Sequence, residues 1–311
     1  MFKNPYNARR WFYGFMLGVF VTFMVMSHAH AQSLIIATGS SSGTYHKMFQ
    51  ELNKRCGLDI SEQASLGSND NIDKMVANQV NGAMVQTDVL ILRSKTEDLS
   101  KVATLFSLHS EQVHLIARSE GVTSGGVSIG SFNVGGKTIH FNTITDLNGR
   151  NVGAAGGSVL TAKVIKMQSG INYNVVEFPT NKAALDALQA GQVDSVVIVG
   201  GEPMSEVAAL PATYRLLPIP AQIQDKVKGV YQPARLSYRN LNAAGVPTVS
   251  IKSLLVTREY KSPKFVSLLK QYRACFMSNI DELQETTGTS PAWQSVDKAD
   301  QGKWKWEELG K

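Results

Sequence analysis

Two stretches of this chain, about one domain apart, share one build. In the first, the apolar run Leu34-Ile35-Ile36-Ala37 breaks into Thr38-Gly39-Ser40-Ser41-Ser42-Gly43-Thr44. Residues 45–55 follow, with apolar positions at helical spacing. In the second, Asn151-Val152-Gly153-Ala154 runs into Ala155-Gly156-Gly157-Ser158, and a helical pattern follows over 159–168. A strand that enters a helix through small residues is a unit of α/β architecture. A later pair of segments repeats the same way. Residues 71–81 form an amphipathic run that reaches Asn78, then Gln79-Val80, and enters the apolar run 82–85. Residues 184–194 reach Gly191, then Gln192-Val193, and enter Ser195-Val196-Val197-Ile198. Asn and Gly tolerate the positive φ of a left-handed helix cap. The two echoes predict two alike α/β lobes.

The rest of the chain fits this plan. His114-Leu115-Ile116-Ala117 reads as a strand. Residues 121–145 are rich in Gly and Ser and read as a linker carrying a small hairpin turned at Gly135-Gly136. From Tyr231 the pattern changes: 249–256 is strand-like, 263–276 helical, and the tail polar with Trp293, Trp304 and Trp306. The expected division is a signal peptide over 1–31, a first lobe over 32–120, the linker over 121–145, a second lobe over 146–235, and a return to the first lobe over 236–311.

The signal rests on Lys3, Arg9 and Arg10, the apolar residues 11–26, and the small-residue site Ala29-His30-Ala31. It predicts export to the periplasm. Losing these three basic residues lowers the formal net charge from +6 to +3, too little to argue for nucleic acid. Two cysteines, Cys56 and Cys275, enter an oxidising compartment either as a disulfide or as buried thiols.

The loop 39–43 invites three other readings. A phosphate loop needs a lysine at its end, where this chain has Thr44-Tyr45. A dinucleotide turn needs a glycine spacing that is absent. Gly39-Ser40-Ser41-Ser42-Gly43 fits a nucleophile elbow, which makes a secreted hydrolase using Ser41 an alternative. Yet few residues precede it, and the last histidine is His140. His109, Glu111 and His114 do not have the spacing of a metal helix, so no metal and no cofactor is expected. What remains is physical. A helix start leaves backbone N–H groups unpaired and partly positive, and Gly and Ser let a carboxylate approach them without an arginine.

The motifs TGSSSGTYH, GSNDN, MVQTDVL, SEQVHLIAR and DLNGRNVGAAGGS occur in this order between Thr38 and Ser158. In this the chain resembles the TAXI family, the extracytoplasmic solute receptors of a class of TRAP transporters, over about residues 33–280. The resemblance implies an α/β, two-lobed type II periplasmic binding protein fold of the Venus flytrap kind, each lobe a mixed sheet flanked by helices. It implies a small carboxylate ligand (an amino acid such as glutamate, a 2-oxoacid or a dicarboxylate), no catalysis, a monomeric receptor and an integral membrane permease as partner. The family's ligand loop falls on Gly39, Ser40, Ser42, Thr44 and Tyr45, its helix start on Ser68 and Asn71, the following strand end on Gln86 and Asp88, and the second-lobe loop on Gly157 and Ser158. Asp88 is expected either to pair a ligand ammonium or to cap a helix. The second-lobe loop departs from the family pattern, with Val159-Leu160 in place of small polar residues. A ligand sensor or docking subunit without transport is a further alternative.

Overall fold

Short apolar runs alternating with amphipathic ones set the architecture. The computed structural model of the 311-residue chain describes residues 33–124, 127–129 and 132–309; the expected signal peptide lies outside the described residues. The chain begins β1 (Leu34–Ala37), α1 (Thr44–Cys56), β2 (Ile60–Gln63), α2 (Ser68–Val76), β3 (Gly82–Gln86) and α3 (Thr87–Arg93). A long strand, β4 (Val102–Arg118), leads into a ribbon of β5 (Val122–Ser124), β6 (Val127–Ile129), β7 (Phe132–Val134) and β8 (Lys137–Ile139). Next come β9 (Asn151–Ala155), α4 (Gly157–Ser169), β10 (Asn174–Phe178), α5 (Asn181–Gln189), β11 (Ser195–Gly200), α6 (Ser205–Ala208), β12 (Tyr214–Leu216), α7 (Ala221–Val227) and β13 (Gln232–Tyr238). A second long strand, β14 (Ala243–Arg258), and α8 (Pro263–Glu285) complete the order.

Both lobes use one topology. In the first, β1 pairs in parallel with β2 on one side and β3 on the other; in the second, β9 does the same with β10 and β11. Leu34, Ile36 and Ala37 of β1 and all of β3 are buried, as suits parallel strands covered on both faces. The repeated caps are real. Asn78 and Gly191 have φ of 60° and 73°. The residue after each bonds five back, Gln79 to the Lys74 carbonyl and Gln192 to the Ala187 carbonyl.

The lobes join through β4 and β14. These strands pair antiparallel with each other; β14 also pairs antiparallel with β3, and β4 with β11. Each lobe therefore has a mixed sheet, and the path β10-β9-β11-β4-β14-β3-β1-β2 is continuous. The sequence pattern showed only the last part of β4, because His109, Ser110, Glu111 and Gln112 interrupt its apolar run. The ribbon also differs from expectation. Val127 pairs with Val134 and Ile129 with Phe132, while Gly135-Gly136 falls between two ladders.

After β14 the chain packs on the first lobe. Tyr45, Met48, Phe49 and Leu52 make one buried face of α1, and they share a core with Leu269, Tyr272, Phe276, Ile280 and Leu283 of α8. Phe106 of β4 stacks on Phe276 at 3.9 Å. Cys56, the last residue of α1, forms a disulfide with Cys275 of α8, across a sequence separation of 219. Closing so long a loop restricts the unfolded chain. Replacing Cys56 with Ser is expected to cost about 2–5 kcal/mol, read as a lower urea midpoint that added reductant no longer shifts.

Candidate ligand-binding site

The six parallel strands of the two lobes all aim their C-terminal ends at one cavity of about 470 Å³. Crevices at the strand ends of such sheets are where ligands bind. The first lobe lines it with Gly39, Ser40, Ser42, Thr44 and Tyr45 after β1, Ser65 to Ser68 after β2, and Gln86 at the end of β3. The second lobe lines it with Ala155 to Ser158 after β9, Pro179 to Lys182 after β10, and Gly200, Met204, Ser205 and Glu206 after β11. His109 and Glu111 of β4 also line it.

The small residues have specific work here. The helices α1, α2 and α4 start from Gly43, Gly67 and Gly156, and no side chain caps any of them. By contrast, Thr180 caps α5 by accepting from the Ala183 amide. The uncapped starts leave amide donors and partial positive charge at the cavity wall. Lys182 is the basic side chain on the lining; it is exposed and paired with Asp186. The glycines also let the lobes touch. Gly156 has φ 54°, and a methyl group there would stand 2.5 Å from the Leu66 carbonyl oxygen. One on Gly157 would stand 2.4 Å from Gln86 Oε1. Ser158 Oγ accepts from the Val199 amide, and Ser68 Oγ accepts from the Gln86 amide.

A buried polar cluster lies at the cavity wall. Glu111, 4% exposed, accepts from Gln86 Nε2 at 2.7 Å through Oε2. Its Oε1 has no hydrogen-bond partner; neither do Gln86 Oε1, His109 Nε2 and the Tyr45 hydroxyl. Burial pushes the Glu111 carboxyl up to about 7, with Asp88 adding in the same direction and contacts from Tyr45, Gln86 and Ser253 opposing. Burial, with Lys252 on β14, holds His109 down to about 3, so its ring is neutral. The Tyr45 phenol is held well above its usual range, by burial first and by Glu111 second.

These shifts have a stability consequence. The folded Glu111 binds its proton more tightly than the unfolded one, so its contribution falls as pH rises from about 4.5 to about 7. Above that the charge is buried at full cost, on the order of 3 kcal/mol. Glu111→Gln in the ligand-free protein is therefore expected to match wild type near pH 5 and to melt higher at pH 8. Equal melting temperatures at both pH values would refute this.

Two expected ligand residues have other work. Asn71, fully buried, donates through Nδ2 to the carbonyls of Thr38 at 2.6 Å and Met84 at 2.7 Å, tying the ends of β1 and β3; it is not among the lining residues. Asp88 is likewise away from the cavity and does not cap α3, whose cap is Gln86. Its Oδ2 accepts from Thr161 at 2.6 Å and Tyr231 at 2.7 Å, and its carboxyl is raised by burial. It thus joins α3 of the first lobe to α4 of the second. Gly39, Ser40, Ser42, Thr44, Tyr45, Ser68, Gln86, Gly157 and Ser158 are all brought together on the lining. Ser41 is exposed and off it. His114 bonds Tyr238, apart from His109. The residues missed were His109 and Glu111; two polar residues inside a long apolar run were the signal.

A family model described as the NMT1-like family matches residues 36–303. Among curated proteins no relative matches. Solved structures match in fold. A Bordetella bronchiseptica RB50 protein is 13% identical, covered over 86% of this chain and 78% of its own, with a TM-score of 0.50. The GluR0 ligand-binding core from Nostoc punctiforme, solved with L-glutamate, is 16% identical, covered over 84% and 96%, with a TM-score of 0.46. An arginine transport-system periplasmic binding protein from Legionella pneumophila is 12% identical, covered over 80% and 94%, with a TM-score of 0.47.

Proposed function

The chain belongs to the NMT1-like family, and from that premise we propose that it is an extracytoplasmic solute receptor that holds a small carboxylate between its two lobes. The observation that carries this reading is the joint opening of three uncapped helix starts, two from one lobe and one from the other, on one cavity of about 470 Å³. The carboxylate accepts from these backbone amides, and contacts to Gly157 and Ser158 draw the second lobe onto it. Closure is thus driven by the difference in ligand contact between open and shut forms.

The motif order of the sequence supports a narrower reading, a TAXI receptor that delivers its solute to a TRAP-type membrane permease from the periplasm. The amino-terminal basic and apolar segment supports export. The test is native mass spectrometry of the mature protein, then thermal-shift screening with amino acids, 2-oxoacids and dicarboxylates. A true ligand at a hundredfold excess over its Kd adds about 3 kcal/mol of stability. Absence of a shift across all three classes would sink the carboxylate reading. Transport is tested separately, by solute uptake in cells with and without the receptor.

A further inference from the structure

We propose that Glu111, Gln86 and His109 form a cage for a primary ammonium on the solute, so that the receptor takes amine-bearing carboxylates and rejects their 2-oxo counterparts. This rests on the receptor reading above and narrows its ligand.

The role of each atom follows from its neighbours. Gln86 Nε2 donates to Glu111 Oε2 at 2.7 Å, which fixes the amide and leaves its Oε1 an acceptor. The Ser253 hydroxyl donates to the His109 carbonyl at 2.9 Å. Its oxygen then accepts from His109 Nδ1, also at 2.9 Å, and this tautomer leaves a lone pair on Nε2. Glu111 Oε1 lies 3.5 Å from that nitrogen, two acceptors face to face once the carboxyl is ionised. Three unpaired groups therefore line one wall, Glu111 Oε1, Gln86 Oε1 and His109 Nε2, with the Tyr45 hydroxyl as a donor beside Glu111. Their residues are 4%, 3% and 0% exposed.

Buried acceptors without donors are costly, and an ammonium offers three N–H groups at once. It also supplies the positive charge that Glu111 lacks, since its one ion-pair neighbour among the described residues is the neutral His109. An oxo group in the same place would bring neither a donor nor a positive charge to the ionised carboxylate. The carboxylate of the same molecule has its own partners at the uncapped helix starts. Gly157 keeps the second-lobe loop close without crowding Gln86 Oε1.

The experiment is calorimetric titration of the mature protein, stripped of bound solute by unfolding and refolding, with each common L-amino acid and its matching 2-oxoacid, and with succinate. At least one amino acid should bind, at least a hundredfold more tightly than its 2-oxoacid. Glu111→Gln should weaken that amino acid at least a hundredfold while melting no lower than wild type at pH 8. The cage is overturned if the 2-oxoacid binds as well as the amine, or if Glu111→Gln keeps its affinity. Binding of succinate or 2-oxoacids alone also overturns it and leaves the carboxylate receptor standing. Binding of no carboxylate at all removes both.

Discussion

Gly156→Val is expected to lower solute affinity at least a hundredfold and to leave the protein more extended in small-angle X-ray scattering with solute present. Two costs add at this position. Its φ of 54° lies where a β-branched residue is strained. A side chain there would also meet the Leu66 carbonyl oxygen at 2.5 Å, and that atom is backbone in the opposite lobe. No rotamer change relieves such a clash; the lobes must part. Gly157→Ala should also weaken binding, because its methyl group would meet Gln86 Oε1 at 2.4 Å and press on an amide held to Glu111. Wild-type affinity in Gly156→Val would mean that these two loops do not approach during binding.

Trp293→Ala is expected to cost about 3–5 kcal/mol, the range for truncating a large buried aromatic. At this chain length that lowers Tm by about 10 °C. Trp293 is fully buried, sits 6.4 Å from Phe276 between ring centres, and donates through Nε1 to Glu51 Oε2 at 2.6 Å. The same carboxylate accepts from the Ser290 amide. The substitution therefore leaves a void and removes a donor from a half-buried charge on α1. It lies outside the cavity lining, so affinity of the folded fraction should hold. A Tm within about 2 °C of wild type would contradict this packing account.

Much of the architecture was legible because it is written twice. The small-residue loops, the caps at Asn78 and Gly191 and the short apolar strands all recur, and local chemistry fixes each of them. The cavity lining was legible at Gly39, Ser40, Ser42, Thr44 and Tyr45 and at Gly157 and Ser158, all of which border it. Side-chain assignments fared less well. Asn71 and Asp88 look like ligand groups in sequence, but a buried amide or carboxylate at a helix start serves the neighbouring backbone and hydroxyls equally well. Which partner it finds depends on packing that spacing does not encode. The reverse held for Glu111 and His109. Their polarity broke the apolar pattern of β4, so the strand read as shorter and its most informative side chains as turn residues.

The two strands that pass between the lobes have one more consequence. Ile251 stands opposite Glu111 and Lys252 opposite Ser110, and the ladder slips register between Lys252 and Leu254 and again between Leu255 and Val256. Irregularities of this kind bend and twist a strand locally. On the proposed cage, a molecule seated on Glu111 lies beside the irregular stretch of the strand pair that joins the lobes, and substitutions in β14 there should change affinity without meeting the solute.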